Sequence, residues 1–323
     1  MSTDRPQAAR VALVTTEHLA RNGWQDPDTG PLRDALVRRG VDARVVYWYD
    51  EALDWGRFDL VVLRSPWDLF VLYPEHLVPW AVDVSQRSTV LNPPAVMRQV
   101  LDKRYLARLA AAGVPTVPTV FAEPGGPGGP FTVPPGEFVV KPVTSGGARA
   151  TARYRPHESA AALAHVAYLH RRGETAMVQP YVPAIETLGE VNLVFFDGSY
   201  DHAVVKEPAL RPGVPFDGAH PVHPGPRAHR PTPAELDVAY AALAAFAPAG
   251  PLLSARVDLL HDEHGEPMVL ELELVTPALF LAHSPGAVDR YAQAIRRHLS
   301  PPATEPPPGS PGRGRAAEPM ITP

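Results

Sequence analysis

Residues 255–275 read ARVDLLHDEHGEPMVLELELV and contain two runs in which apolar and polar residues alternate. Alternation with a period of two is typical of strands that bury one face only. The pair His264-Gly265 lies between the runs and suits a tight turn. The stretch therefore predicts an antiparallel hairpin that closes at those two residues.

The register of this predicted hairpin brings charged side chains together on one face. Asp258 would face Glu271, and Arg256 would face Glu273. The other face, toward the core, would carry the leucines of the second strand: Leu270, Leu272 and Leu274. Directly opposed carboxylates repel each other, and Mg²⁺, which prefers carboxylate and phosphate oxygens, would relieve that repulsion. A solvated acidic face balanced by the arginine fits the same pattern.

The N-terminal part alternates between strand and helix patterns. Apolar runs at 11–15, 43–49 and 60–63 predict strands, and the spacing over 31–39 predicts a helix. This order indicates a largely parallel sheet, and ligands of such sheets lie beyond the carboxyl ends of the strands. Four candidate substrate residues directly follow the third strand: Arg64, Ser65, Trp67 and Asp68.

The middle of the chain carries candidate phosphate-binding residues. The pattern over 94–112 predicts a helix that contains Lys103, and Lys141 closes the apolar strand 138–142. A loop that contains Ser145, Gly146 and Gly147 follows this strand. Glycine-rich loops can bring backbone N–H groups against phosphates, and lysine adds a point charge. A lysine at a strand end is, however, more often simply solvated.

A second hairpin is predicted over 190–206, because the Asp-Gly pair at 197–198 is a strong turn signal. A two-residue turn there would pair Glu190 with Val205. Lys206 would then point to the opposite face unless a bulge intervened. Farther along the chain, Thr232 and Glu235 form a capping-box pattern that begins a helix reaching about residue 247.

Composition excludes several classes of function. The chain has 323 residues, no cysteine and a formal net charge of -5, which excludes thiolate chemistry and disfavours a nucleic-acid partner. No apolar stretch approaches the roughly 20 residues of a membrane helix, so a cytoplasmic protein is expected. The glycine motifs of dinucleotide-binding and P-loop proteins are absent. Three histidines in a proline-rich loop are better explained as solvated than as metal ligands: His220, His223 and His229.

Taken in order, these motifs resemble the ATP-grasp superfamily over about residues 11–299. The resemblance is to the branch of glutathione synthetases and ribosomal-protein glutamate ligases. Within it, the O-ureido-D-serine cyclo-ligase type of D-cycloserine biosynthesis is similar in the runs RSPWD at 64–68, DKRY at 102–105 and ELEL at 271–274. The implied fold is of the α/β class, with a parallel-sheet pre-ATP-grasp domain before an α+β C-terminal part.

The resemblance implies a role for each motif residue. The phosphates of ATP would contact Lys103 and Lys141 under the loop Ser145–Gly147. The adenine would contact Gln179 and Val182, and the ribose Glu190. Asp258, Glu271 and Glu273 would hold Mg²⁺ or Mn²⁺. Arg256, beside the metals, and Lys206 are the candidate catalytic cations.

The implied activity joins a carboxylate to a nitrogen nucleophile through an acyl phosphate, in a small-molecule substrate. Relatives carry a phosphate-binding arginine after the second hairpin, and here that motif is missing, with Arg211, Arg227 and Arg230 as candidate replacements. Thr276 and Ala278 also depart from the cyclo-ligase pattern. A nucleotide-binding relative without ligase activity, serving as a partner subunit, is therefore the alternative.

The resemblance also implies a division of the chain. We expect an N-terminal domain over 1–96, a first ATP-grasp subdomain over 97–182 and a C-terminal subdomain over 183–299. The Pro-rich stretch 300–323 has low hydrophobicity and no periodicity, so a disordered tail is expected. Relatives are often dimers or tetramers, but no patch in the sequence itself predicts a homo-oligomer.

Overall fold

The computed structural model describes residues 8–19, 21, 24–126, 132–217 and 225–299. The predicted tail and two of the loop histidines, His220 and His223, lie outside the described residues. Three sheets occupy successive stretches of the chain, and the fold class expected from the sequence is confirmed. The exact domain boundaries stay a prediction.

The first sheet is parallel, as the alternation of elements predicts. Its elements are β1 (Arg10–Thr15), α1 (Thr29–Arg38), β2 (Asp42–Tyr47), β3 (Leu60–Ser65), α2 (Trp67–Leu72), α3 (Pro74–Ser85) and β4 (Thr89–Leu91). The strand order is β2-β1-β3-β4. Every residue of β3 is buried, which explains its unbroken apolar run. The strand extends through Arg64 and Ser65, so these residues end the strand instead of following it.

The second sheet is antiparallel, with strand order β5-β8-β6-β7. Its part of the chain contains α4 (Pro94–Leu101), α5 (Tyr105–Ala111), β5 (Val120–Ala122), β6 (Phe138–Pro142), β7 (Ala152–Tyr154), α6 (Ser159–Arg171) and β8 (Ala176–Pro180). The prediction of one helix over 94–112 was wrong. Asp102 has extended φ and ψ angles, and Lys103 lies in the break between α4 and α5.

The third sheet is antiparallel and carries the acidic hairpin at one edge, with strand order β11-β10-β9-β12-β13. Its elements are α7 (Ile185–Leu188), β9 (Glu190–Phe196), β10 (Ser199–Lys206), β11 (Arg227–His229), α8 (Pro233–Phe246), β12 (Ser254–His261), β13 (Pro267–Glu273) and α9 (Ala287–Arg297). Both predicted capping-box hydrogen bonds begin α8. None of the helices in the described part of the chain is long and apolar enough to cross a membrane.

The largest apolar core joins the N-terminal and C-terminal sheets. It contains Leu63 of β3 and Leu77 of α3 together with Val257 of β12 and Leu272 of β13. Asn92, which is 3% exposed, spans the same boundary. Its amide nitrogen donates to the carbonyl oxygens of Ser254 and Leu274, at 2.8 and 2.7 Å. The end of the parallel sheet is therefore fixed against the acidic hairpin.

Candidate active site

The acidic hairpin has the predicted register at its charged residues. Arg256 pairs with Glu273, and Asp258 with Glu271. The predicted turn was wrong, since the Asp262 amide donates to the Glu266 carbonyl at 2.9 Å, which leaves three residues in the loop. A bulge beyond Asp258 offsets this one-residue error, so both shifts cancel at the charged end.

The leucines of β13 do not share one environment. Leu272 and Leu274 are buried in the main core, as predicted. The prediction for Leu270 was wrong, because this side chain is only partly buried and packs in a separate cluster with Val182 and Leu260. Leu270 is the residue that the bulge leaves unpaired, between Val269 and Glu271, and this accounts for the difference.

Arg256 links two carboxylates of the hairpin. Its Nε and Nη2 donate to the two carboxylate oxygens of Asp258, both at 2.7 Å. Its Nη2 lies 3.7 Å from Glu273 Oε1. Burial raises the pKa of Glu273 to about 7; Arg256 opposes the shift, while Glu271 and Asp258 add to it. One arginine therefore does not compensate the negative charge gathered here.

Two lysines from the second sheet's part of the chain act on Glu271. Lys103 Nζ lies 3.5 Å from Glu271 Oε2 and donates to the Ser145 carbonyl at 2.6 Å. Burial opposes ionisation of Glu271, but Lys103 and then Lys141 outweigh it and lower the pKa of this carboxyl. Burial lowers the pKa of Lys141 itself, against the field of Glu271. The candidate phosphate-binding lysines thus converge on the candidate metal-binding hairpin.

Lys206 lies on the same face as Glu190, contrary to the simple turn prediction. Lys206 pairs with Glu190 because β10 has a bulge between Tyr200 and His202. The Lys206 Nζ to Glu190 Oε1 distance is 2.7 Å. Burial disfavours the charged form of Glu190, but Lys206 outweighs it and lowers the pKa to about 2. The sequence analysis allowed for a bulge as the exception, and the structure has that bulge.

Asn192 is a site residue that the sequence analysis missed. It is fully buried and pairs with Asp258 across β9 and β12. Its Nδ2 donates to Glu190 Oε1 at 2.9 Å, while its Oδ1 has no hydrogen-bond partner among the described residues. The available signal was two polar residues, 190 and 192, in an otherwise apolar strand.

The remaining candidate nucleotide-binding residues lie around β8. Gln179 is 2% exposed, and its Nε2 donates to Thr119 Oγ1 at 2.9 Å. Val182 is buried against Val117 and Leu260. In the glycine-rich loop, Gly147 has a φ of 59°, in the left-handed region. The adenine and phosphate contacts of these residues stay predictions.

The predicted substrate segment divides into two groups. Trp67 Nε1 donates to the Thr276 carbonyl at 3.0 Å, which brings this residue to the end of the acidic hairpin. Asp68 accepts hydrogen bonds from Thr16 Oγ1 at 2.7 Å and Trp48 Nε1 at 3.0 Å. Its carboxylate is therefore bound within the N-terminal unit, which is the first sheet with its helices. These contacts support a role in fixing the ends of β1 and β2.

Arg64 is 1% exposed and lies at the boundary with α9, over the ring of Tyr291 at 5.4 Å. Its Nε and Nη1 have no hydrogen-bond partner among the described residues. The charges nearby come from Asp26 and Asp28, which the sequence analysis missed. Ser65 donates a short hydrogen bond to Asp26 and contacts Thr15 Oγ1 at 2.8 Å.

The candidate replacement arginines lie in exposed surroundings: Arg211, Arg227 and Arg230. No hydrogen bond or ion pair within the described ranges brings one of them to Lys206. The third histidine of the predicted proline-rich loop, His229, lies in β11, and its Nε2 donates to Glu235 Oε2 at 3.0 Å. His261 contacts the other oxygen of Glu235, also at 3.0 Å.

The candidate metal residues have the oxygen donors that bind divalent cations, but their present side-chain arrangement does not form a metal site. All the donors are oxygens, and the buried Asn192 Oδ1 adjoins Asp258 without a partner among the described residues. Across those residues no three Asp, Glu or His side chains converge as a ready metal site. Arg256 occupies both oxygens of Asp258, and Lys103 contacts Glu271.

Comparison with solved structures identifies the fold as ATP-grasp. The D-alanine–D-alanine ligase of Bacillus anthracis in complex with ATP is 14% identical and matches with a TM-score of 0.57, over 90% of this chain and 97% of that one. A RimK-domain ATP-grasp protein of Sphaerobacter thermophilus is 19% identical, with a TM-score of 0.61 over 90% and 99% of the chains. The order of motifs in the sequence agrees with this class.

Proteins of D-cycloserine synthesis are more similar to this chain in sequence. The profile of the N-terminal domain of D-cycloserine synthetase DcsG matches residues 11–92. Cycloserine biosynthesis protein DcsG of Streptomyces lavendulae is 40% identical over 291 residues, 85% of this chain and 95% of that protein. A crystal structure of D-cycloserine synthetase DcsG matches with a TM-score of 0.80 at 36% identity, over 90% and 100% of the chains. The chain therefore belongs to the DcsG family of ATP-grasp ligases.

Proposed function

We propose that this protein is an ATP- and Mg²⁺-dependent carbon–nitrogen ligase that activates a carboxylate as an acyl phosphate. The observation that carries the proposal is the convergence of Lys103 and Lys141 on Glu271, beside the Arg256–Asp258 pair. Cations that would hold phosphates and carboxylates that would hold a metal thus face each other in one buried cluster. Such alternation of charge suits the transfer of a phosphoryl group.

In this proposal Asp258, Glu271 and Glu273 would hold Mg²⁺ (or Mn²⁺), which would supply positive charge to the transferring phosphoryl group. Asn192 Oδ1 is a further oxygen donor beside them. Lys103 and Lys141 compensate the charge of Glu271. With a cation bound at Glu271, both lysines would be available to phosphate oxygens.

The reaction has two balanced steps. A substrate carboxylate oxygen attacks the γ-phosphorus of ATP, and ADP leaves. A nitrogen of the substrate then attacks the acyl carbon, and inorganic phosphate and one proton of that nitrogen leave. Arg256 is the cation placed to meet charge that develops on the acyl group, since it is 6% exposed and lies in the centre of the carboxylates.

We further propose an intramolecular cyclo-ligase reaction on an amino-acid-derived substrate. The support is the 40% identity to DcsG together with Trp67, which contacts the Thr276 carbonyl at the end of the hairpin. Thr276 and Ala278 depart from the cyclo-ligase pattern, and the Ala278 carbonyl accepts from Arg256 Nη1 at 3.2 Å. The departure at Ala278 from the cyclo-ligase pattern therefore lies next to Arg256, the proposed catalytic cation.

The first test is a thermal-shift titration with ATP, with and without Mg²⁺, followed by phosphate release with O-ureido-D-serine and other amino-acid carboxylates. A Mg²⁺-dependent shift and substrate-dependent phosphate release are expected. Glu271→Gln should abolish turnover in a protein that still folds, with a lowered melting temperature because Lys103 and Lys141 lose their anionic partner. Glu263→Gln, on the exposed turn of the same hairpin, is the matched control and should change neither.

A nucleotide-binding relative without ligase activity would give a different pattern. It would show the Mg²⁺-dependent thermal shift but no phosphate release with any carboxylate. The exposed positions of Arg211, Arg227 and Arg230 are the observation behind this second candidate. Full activity in Glu271→Gln would overturn the metal assignment under either candidate.

A further inference from the structure

We infer that Phe70 is a positioning residue that holds the glycine-rich loop closed and ties it to the N-terminal unit. The inference rests on the proposed function of that loop, residues 145–147, in covering nucleotide phosphates. Phe70 belongs to α2, in the part of the chain that precedes the second sheet. It is neither charged nor part of the candidate cluster.

The contact between Phe70 and Gly146 is unusually close. A Cβ atom built on Gly146 would lie 2.3 Å from Phe70 Cε1 and 2.9 Å from Cδ1. Real Cβ atoms do not approach carbon so closely, so only glycine allows the ring edge to lie against this backbone. Gly146 does not have a positive φ. Its requirement for glycine therefore comes from the ring and not from the backbone conformation.

The ring of Phe70 has limited freedom to move away. It packs partly buried against the main apolar core. It also lines one narrow cavity together with Lys103 and the segment 272–275. A second contact holds the loop, since Lys103 Nζ donates to the Ser145 carbonyl at 2.6 Å. An apolar ring from α2 and a lysine from the α4–α5 break thus contact adjacent residues of the loop.

The helix α2 makes a second contact with the site. Trp67, three residues before Phe70, donates from Nε1 to the Thr276 carbonyl at 3.0 Å. One short helix therefore contacts both the glycine-rich loop and the end of the strand that carries Glu271 and Glu273. A shift of α2 when substrate binds would move the loop with it, which couples loop closure to the N-terminal unit.

A double-mutant cycle tests this role. The proteins are the wild type, Phe70→Ala, Gly146→Ala and the double variant, and the measured quantity is the Kd of the ATP analogue AMPPNP with Mg²⁺. Gly146→Ala should weaken binding by about tenfold in the wild-type background and by much less once the ring is absent, because contacting residues are energetically coupled. Gly147→Ala is the matched control: a Cβ there meets nothing within 4 Å, so its effect should be the same in both backgrounds.

Amide hydrogen exchange gives a readout that does not depend on turnover. Phe70→Ala should speed exchange over residues 144–149 with and without AMPPNP, whereas Phe70→Leu, which keeps an apolar contact, should restore part of the protection. Melting temperatures of all variants separate this effect from a general loss of stability.

Two negative outcomes are distinguishable. Equal effects of Gly146→Ala in both backgrounds, with AMPPNP binding by the wild type intact, would overturn the role of Phe70 alone. Absence of any AMPPNP binding by the wild type would overturn the proposed function, and the positioning role with it.

Discussion

Lys206 Nζ lies 2.7 Å from Glu190 Oε1, across the last pair of the β9–β10 hairpin. Both side chains of the ion pair are largely buried, and the nearby charge of Asp258 helps to raise the pKa of Lys206. It joins β10 to β9, the strand that carries Asn192 and pairs with β12 of the acidic hairpin. The pair is therefore part of the same electrostatic cluster as the candidate metal residues.

Removal of this lysine charge should weaken nucleotide binding. Lys206→Met removes the largest influence that opposes burial at Glu190 and leaves only Asn192 and Arg256 to oppose it, so the pKa of that carboxyl should rise. We expect the Kd of Mg²⁺-AMPPNP to rise about tenfold or more, as for other losses of a charge-assisted contact. Lys206→Arg, which keeps the charge, should lose less. Equal Kd values for wild type and Lys206→Met would remove Lys206 from the nucleotide site.

Gly189→Ala should destabilise the protein strongly. Gly189 has a φ of 77°, and a Cβ atom there would lie 2.6 Å from the Lys206 carbonyl oxygen and 2.5 Å from Val205 Cγ2. Left-handed strain alone costs about 1–2 kcal/mol, so a total above about 2 kcal/mol is expected when the clash is added. The control is Gly198→Ala, with a φ of 74° and nothing within 4 Å. Urea unfolding should separate the two variants; equal losses would contradict the clash.

Glu235 should stabilise the fold in a pH-dependent way. Burial opposes its ionisation, but hydrogen bonds from His261 and His229 outweigh burial and lower the pKa to about 2. A lowered pKa gives stability that is present above the ordinary value of 4.5 and is lost as the pH falls toward 2. At pH 7 the free energy of unfolding of Glu235→Gln should therefore be lower than that of the wild type by about 2 kcal/mol.

The difference between wild type and Glu235→Gln should shrink as the pH falls from 4.5 toward 2, measured by chemical unfolding at each pH. Glu266→Gln, at the exposed turn of the acidic hairpin, is a control without buried partners. A gap between wild type and Glu235→Gln that stays constant over this range would show that ionisation of Glu235 does not matter to the fold.

Asn92→Ala should be among the more damaging polar substitutions. The side chain donates to two carbonyl oxygens and accepts from the Leu253 amide at 2.8 Å, all in buried surroundings. Each buried group left without a partner costs about 1–3 kcal/mol, so we expect a loss of at least about 3 kcal/mol by urea unfolding. Gln99→Ala, which removes an amide with more exposed hydrogen bonds, should cost much less.

The shared charged face of the acidic hairpin was predictable because period-two alternation, a local rule, determines which side chains lie together. The exact pairs at Arg256 and Asp258 agreed with the prediction because a bulge offset the error in the turn. The turn was not predictable in detail. Gly265, with a φ of 84°, supports a three-residue loop, and the compensating bulge near Asp258 depends on neighbours in the sheet.

The position of Lys206 depended on contacts distant in sequence. The bulge at residues 200–202 leaves Asp201 unpaired in the ladder. Its carboxylate accepts from Arg290 Nε and Nη2 at 2.5 and 2.9 Å, while His202 Nε2 contacts the Leu279 carbonyl at 2.8 Å. Contacts with partners so far along the chain leave no trace in local periodicity.

The sequence by itself determined the alternation of elements, the acidic face of the hairpin and the ordered set of motifs that indicates an ATP-grasp protein, because periodicity and short-range spacing are local properties of the chain. Only the tertiary structure decided that Lys103 interrupts a helix to reach Glu271, that Asn192 adjoins Asp258 and that Phe70 rests on Gly146. These relationships join residues that are far apart in the chain, and the packing of strands, helices and loops against one another sets their distances.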